Sequence, residues 1–213
     1  MRPPALPDLR LGPLTEVDAS ALRPGADLES VVCSGARVER ADLSEALLGG
    51  VRLTALTAEE AVLTGARLTE VDLDEVGLTV VRAAGTRWRE VRLSGRVGVL
   101  DAPGAQWWSV HLAGCRLGYL DLRDAELVDV ALTGCVVDEL VLSGSVARRV
   151  ALEDTRVGIL RTGGSRLTDV DLRGASLREV DGVTGLRGAT VGPSQLEALA
   201  PLLARGVGLH VES

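Results

Sequence analysis

The side chains able to do covalent or metal chemistry are few and scattered. Three cysteines (Cys33, Cys115, Cys135) and two histidines (His111, His210) are spread over 213 residues. Three thiols are too few for a disulfide framework, and their spacing makes no zinc site. The histidines are far apart and have no matched ligands. Asp72-Leu73-Asp74 sets two carboxylates two residues apart, the raw material for acid–base work. A Leu flanked by two outward carboxylates is equally the ordinary look of a polar strand face. There is no phosphate-cradling glycine loop, no nucleophile elbow and no metal-ligand spacing. Neither an enzyme nor a cofactor nor a metal site is expected.

The composition narrows the scaffold that positions these residues. The chain is 46% hydrophobic and 25% charged, with net charge −7, no Phe, 2% aromatics and no Lys among its 23 basic residues. Aromatic rings normally supply much of a core's buried area. This core has to be assembled from Leu, Val and Ala, in a space too narrow for rings. The charge divides almost evenly between the two halves and no basic patch stands out, so direct nucleic-acid binding is not expected. No apolar run reaches membrane-spanning length. The segment Met1–Asp8 lacks the apolar stretch of a signal peptide, so a soluble, cytoplasmic protein is the expectation.

A repeat organises most of the chain. An apolar residue recurs every fifth position through Leu28, Cys33, Val38, Leu43, Leu48 and Leu53, and on to Leu93. After a slip of one residue the series resumes at Val97, Ala102, Trp107 and Leu112 and runs to Leu177. A small or branched residue stands two positions before each, as in Ala26-Asp27-Leu28-Glu29-Ser30 and Ala41-Asp42-Leu43-Ser44-Glu45. A period of five fits neither a helix nor a straight strand. Two inward positions in five mean that the chain turns a corner once per unit. Val51-Arg52-Leu53, Val71-Asp72-Leu73 and Val91-Arg92-Leu93 recur every 20 residues, so four units close one coil and equivalent residues stack in columns.

These Ala-Asp-Leu-type fives resemble the pentapeptide repeat protein family over residues 26–191. The resemblance implies an all-β fold: a right-handed quadrilateral β-helix of about eight coils, about 39 Å long at the usual strand spacing. Residues 1–25 are then an N-terminal cap and residues 192–213 a C-terminal cap of helix and strand. Prolines agree, falling at positions 3, 4, 7, 13 and 24 before the repeats and at 193 and 201 after them, with Pro103 alone inside, near the slip. Ser194-Gln195-Leu196-Glu197 reads as a capping box. Leu196, Leu199 and Leu203 form one helical stripe that Pro201 should kink, and Val207, Leu209 and Val211 alternate like a short edge strand. This tail either covers the last open coil or pairs two copies into a homodimer, as C-terminal elements do in several bacterial relatives.

Two surfaces stand out as partner sites. Glu70, Asp72, Asp74, Glu75, Glu90, Asp129, Asp169 and Asp171 gather at an acidic edge, which Arg52, Arg67, Arg87, Arg89 and Arg92 interrupt. Trp108 is outward, with Val80, Val99 and Tyr119 in a column beside it, an apolar strip on a polar rod. Trp88 and Trp107 stack inward in a locally widened coil, and Cys115 and Cys135 stack as buried, inert thiols. The main expectation is a non-enzymatic protein-interaction scaffold whose partner is unnamed. The resemblance also implies an alternative, a DNA mimic that binds DNA gyrase and modulates it or protects it from quinolone-like toxins. Matching the charge of B-DNA over this length would take about 23 negative charges.

Overall fold

The computed structural model describes residues 1–206, 208 and 209. Residues 26–181 wind into a four-sided parallel β-helix, and the fold expectation is borne out. Partners on neighbouring coils are 20 residues apart, as in Asp27↔Leu47 and Val136↔Arg156. Four faces follow in chain order, each named by its central inward residues. Face 1 holds Leu28, Leu48, Leu68, Trp88, Trp107 and Leu127; face 2 holds Cys33, Leu53, Leu73, Leu93, Leu112 and Leu132. Face 3 holds Val38, Ala58, Leu78, Val97, Leu117 and Val137; face 4 holds Leu43, Leu63, Ala83, Ala102, Leu122 and Leu142. From Cys33 onward, nearly all these side chains and the residues two before them are buried in one axial core. Each buried Leu or Val contributes about 1.5–3 kcal/mol. The entering segment Thr15–Glu16 pairs with Val31–Val32 and starts an extra turn, which gives about nine turns rather than eight.

The corners explain why short polar residues or Gly follow the central Leu. At the corner between faces 1 and 2, Ser30, Glu70, Glu90, Ser109, Asp129, Arg149 and Asp169 all have φ between 52° and 57°. The corner between faces 3 and 4 stays extended, and its column runs Arg40, Glu60, Val80, Val99, Tyr119, Glu139.

The slip is one missing corner residue. Leu73 pairs with Leu93 across 20 residues, whereas Val76 pairs with Gly95 across 19. Gly95 has φ 109°, and a Cβ there would strike the Val76 backbone oxygen, so glycine is required to close the shortened corner. Ser94 stitches the gap: its Oγ accepts the Glu75 N–H at 2.7 Å and donates to Asp74 at 2.9 Å. Pro103, expected beside the slip, lies on face 4. Its column needs no ladder donor, because the equivalent N–H groups of Ser44 and Arg123 go to Asp42 and Asp121 at 3.1 and 2.9 Å. A proline therefore sits there without loss.

The core corrects the expectation of a space too narrow for rings. Trp88 and Trp107 stack at 4.7 Å with 13° between planes, each at most 1% exposed. The adjoining face-4 residues in those two coils are Ala83 and Ala102, where coils on either side place Leu63 and Leu122. The neighbouring wall residue is cut down there, which makes room for the rings.

Both ends differ from their sequence reading. The helix Pro193–Gly206 runs unbroken through Pro201. Its capping residue is Gly192, whose N–H donates to Gln195 Oε1 at 2.7 Å, with Pro193 in the first helical position. Ser194 and Glu197 are exposed. Gln195 Nε2 donates to the carbonyls of Leu172 and Ala175, at 2.5 and 2.6 Å, which docks the helix on the last coil. Leu199 is buried and Leu203 half-buried with Leu202, whereas Leu196 is 51% exposed and leaves the stripe. Val207 and Val211 of the expected edge strand, and His210, lie outside the described residues. At the other end, residues 1–8 do not cap the helix. They form a strap along its outside: Ala5 N–H donates to Asp129 Oδ1 and Ala5 O accepts from Ser109 Oγ, both at 2.9 Å.

Candidate interaction site

The eight carboxylates of the acidic edge do gather, on face 2 and its two corners, but most are engaged. Asp72 is only 1% exposed and lies in one column with Arg52 and Arg92. Its carboxylate accepts from Arg52 Nε at 3.1 Å and from Arg92 Nε and Nη2 at 2.9 and 2.7 Å. Asp129 takes both the Arg149 guanidinium, at 2.6 and 2.7 Å, and the strap. Arg149 holds the Asp129 carboxyl below its ordinary value, and Arg173 does the same for Asp171. Asp74 and Glu75 bond Ser94, Glu90 lies 3.9 Å from Arg89, and Asp169 lies 3.7 Å from the Met1 nitrogen. The Glu70 and Glu75 carboxylates have no such contact among the described residues, Glu75 meeting Ser94 through its backbone N–H alone.

Face 2 is also where the strap lies. Pro3, Pro4 and Leu6 face Ala131, Ala151 and Leu152 across a cavity of about 530 Å³. The small alanines that follow His111 in its column leave a trough there. His111 is driven below its ordinary pKa, first by burial and then by Arg92, and its Nε2 meets Thr133 Oγ1 at 3.1 Å. The buried thiols of Cys115 and Cys135 lie in one inward column of face 3; the Cys135 neighbour and burial push Cys115 well above its ordinary value. Cys33 is buried on face 2.

The apolar strip divides in two. Trp108 stands on face 1, outward and half-buried, in register with Arg89 and Val128. Val80, Val99 and Tyr119 lie at the corner of faces 3 and 4, on the far side of the rod. Trp108 and Tyr119 are eleven residues apart, two corners round the coil, so they cannot serve one contact. What does adjoin Trp108 is a groove of about 430 Å³ lined by Arg67, Leu68, Thr69, Arg87 and Arg89. Arg67 and Arg87 are neighbours in one column, and neither meets a carboxylate among the described residues. Arg87 Nε donates to Gln106 Oε1 at 3.1 Å, which steadies its head and leaves its terminal nitrogens free. Composition had hidden this local excess of positive charge; the column Arg67–Arg87 and its neighbour Arg89–Trp108 were its signal.

The deciding observation is the register: five residues to a face, twenty to a coil, a small residue and a larger apolar one inward in each five. The fold is a pentapeptide-repeat β-helix. No protein-family model matches the chain, and neither does any curated protein. Among solved structures, a trypsin-treated variant of QnrB1, described as a plasmid-mediated fluoroquinolone resistance protein, is 16% identical. That alignment covers 93% of this chain and 96% of that one, with a TM-score of 0.44. HetL, a pentapeptide repeat protein involved in heterocyst differentiation regulation in the cyanobacterium Nostoc, is 23% identical over 77% of this chain and 94% of its own, with a TM-score of 0.29. At such identities the likeness concerns the fold alone.

Proposed function

We propose that this protein is a non-enzymatic scaffold for protein–protein contact, and that the contact lies on face 1 around Trp108. The observation that carries this reading is the contrast between the two surfaces. Most carboxylates of the acidic edge are taken up by the chain's own arginines, by Ser94 or by the strap. Arg67 and Arg87, beside an outward Trp, have no carboxylate among the described residues. Trp and Arg are the residue types that most often dominate protein interfaces.

The second reading, a DNA mimic directed at gyrase, is favoured by Glu70 and Glu75, which remain exposed on the corners bordering face 2. It needs outward negative charge along the rod, and the pairing of Asp72, Asp129 and Asp171 removes much of it. One experiment separates the two. A photo-cross-linking residue at Thr69, Glu75 or Val80 is expected to give a discrete adduct in cells from Thr69 alone. An adduct from Glu75 alone, together with salt-sensitive inhibition of gyrase supercoiling, would move the contact to the acidic edge. A pairing of copies through the C-terminal helix is compatible with either reading, since Leu196 is turned outward.

A further inference from the structure

The groove beside Trp108 has a chemistry of its own, and its occupant can be argued from charge. Its lining among the described residues holds three guanidiniums, from Arg67, Arg87 and Arg89, one indole and no carboxylate, with Glu90 lying 3.9 Å from Arg89 at the adjoining corner. Several arginines elsewhere on the rod are spent in pairs: Arg52 and Arg92 on Asp72, Arg82 on Glu60, Arg123 on Asp121, Arg161 on Glu139 and Asp181. Arg96 and Arg116 also stack in one column, on face 3, but no tryptophan adjoins them. Here adjacent coils stack Arg67 over Arg87, and Thr69, Arg89 and Trp108 line the opposite side. A planar guanidinium left free beside an aromatic surface suits a carboxylate next to an apolar side chain.

We infer that this groove binds a short acidic peptide segment, with carboxylates on Arg67 and Arg87 and one aromatic or aliphatic side chain against Trp108. The inference rests on the face-1 reading above and adds the partner's chemistry to it. The surroundings limit the length of the anion. Asp27 and Glu29 lie above the groove on the same face, Glu126 lies below it, and Glu70 and Glu90 run along its corner. A long polyanion such as a nucleic-acid strand would run into these carboxylates, whereas a few acidic residues fit between them.

The probe is an N-acetylated Glu-Asp-Phe-Glu peptide added to the full chain, followed through the indole N–H resonances. Trp88 and Trp107 are enclosed in the core, so the Trp108 signal reports the groove alone. The expected result is a saturable shift of the Trp108 resonance below about 5 mM peptide. The shift is expected to weaken by about tenfold or more in the Arg67→Gln/Arg87→Gln double variant. Trp108→Ala, followed by calorimetry, is expected to weaken binding similarly, and all these variants should unfold at the wild-type midpoint because the changed groups lie outside the core. A Lys-Lys-Phe-Lys peptide is expected not to bind. Binding of the basic peptide, no saturable shift with the acidic one, or tighter binding of oligothymidylate with a steep salt dependence would each overturn the inference. A cross-link from Thr69 without peptide binding would overturn the acidic chemistry and leave the face-1 contact standing. Absence of both would remove the two readings together.

Discussion

The paired tryptophans give the sharpest test of how this core is built. If Ala102 exists to make room for Trp107, the two positions are one packing unit, and changing either alone should cost more than changing both. Trp107→Leu removes about 60 Å³ from a fully enclosed site, about 1.5 kcal/mol as cavity. It also ends the stack with Trp88, worth about 1 kcal/mol. Against this, the Trp107 Nε1–H has no hydrogen-bond partner among the described residues, and removing it returns about 1 kcal/mol or more. The net expectation for the single change is a loss of about 1–2 kcal/mol. Ala102→Leu forces three carbons into a filled coil and should cost about 1–3 kcal/mol. The double variant recreates the Leu–Leu arrangement that Leu122 and Leu127 use one coil on. It should lie within about 1 kcal/mol of the parent, a coupling of about 2–3 kcal/mol. Urea unfolding followed by far-ultraviolet dichroism reads this directly, and in a thermal melt each kcal/mol is about 2–4 °C at this chain length. Simple additivity, with the double variant worse than both singles, would refute the size-exchange argument.

Other consequences are simpler to state. Asp129→Ala removes the acceptor for the strap's Ala5 N–H, so trypsin should cut at Arg10 faster; an unchanged cutting rate would show that this contact does not hold the strap. Asp129 and Asp171 have depressed folded-state values, so their stabilisation is complete above about pH 4 and is lost as pH falls through those values. Stability measured by urea midpoint should therefore fall on acidification below about pH 4, and less steeply in the Arg149→Gln/Arg173→Gln variant. Ala55 has φ 52°, and Ala55→Gly should stabilise by about 0.5–1 kcal/mol by relieving a left-handed residue. Gly118→Ala brings a Cβ to 2.6 Å from the Gly98 backbone oxygen and should cost about 1–3 kcal/mol in the same measurement.

The fold was readable because a solenoid writes its geometry locally. Each inward residue is specified within its own five, and the 20-residue period then states which residues stack. The same arithmetic held information that the outward residues had to wait for. Arg52, Asp72 and Arg92 are spaced by 20, and so are Asp129 and Arg149, so their pairing was written in the columns that placed Leu53, Leu73 and Leu93. Grouping carboxylates by proximity in sequence concealed it. The misplacement of Tyr119 beside Trp108 has the same origin: the two occupy different positions in their fives, and position in the five decides which way a side chain leaves the rod. The strap is another matter. Ala5 meets Asp129 across 124 residues, no period links them, and nothing local in Pro3-Pro4-Ala5-Leu6 names its partner.

The weighing of the two functional readings turns on this distinction between having charge and presenting it. A rod that imitates DNA must leave its carboxylates unneutralised and outward at something near one per 1.7 Å of axis. This chain has 30 acidic residues, enough in number for about nine turns, yet its net charge is −7 because 23 arginines are interleaved with them. In several columns arginine and aspartate meet side by side as neighbours in the ladder, as in Arg52–Asp72–Arg92 and Asp129–Arg149, and the field of each pair is short-ranged. Like charges directly stacked would repel along a column, so a long β-helix of this kind is stabilised by the same alternation that spoils it as a polyanion. Alternation fails at Arg67 and Arg87, as it does at Arg96 and Arg116 and at Asp101 and Asp121, but beside the first pair alone an outward tryptophan stands. A stability argument alone gives no reason to keep that pair. An acidic partner segment does.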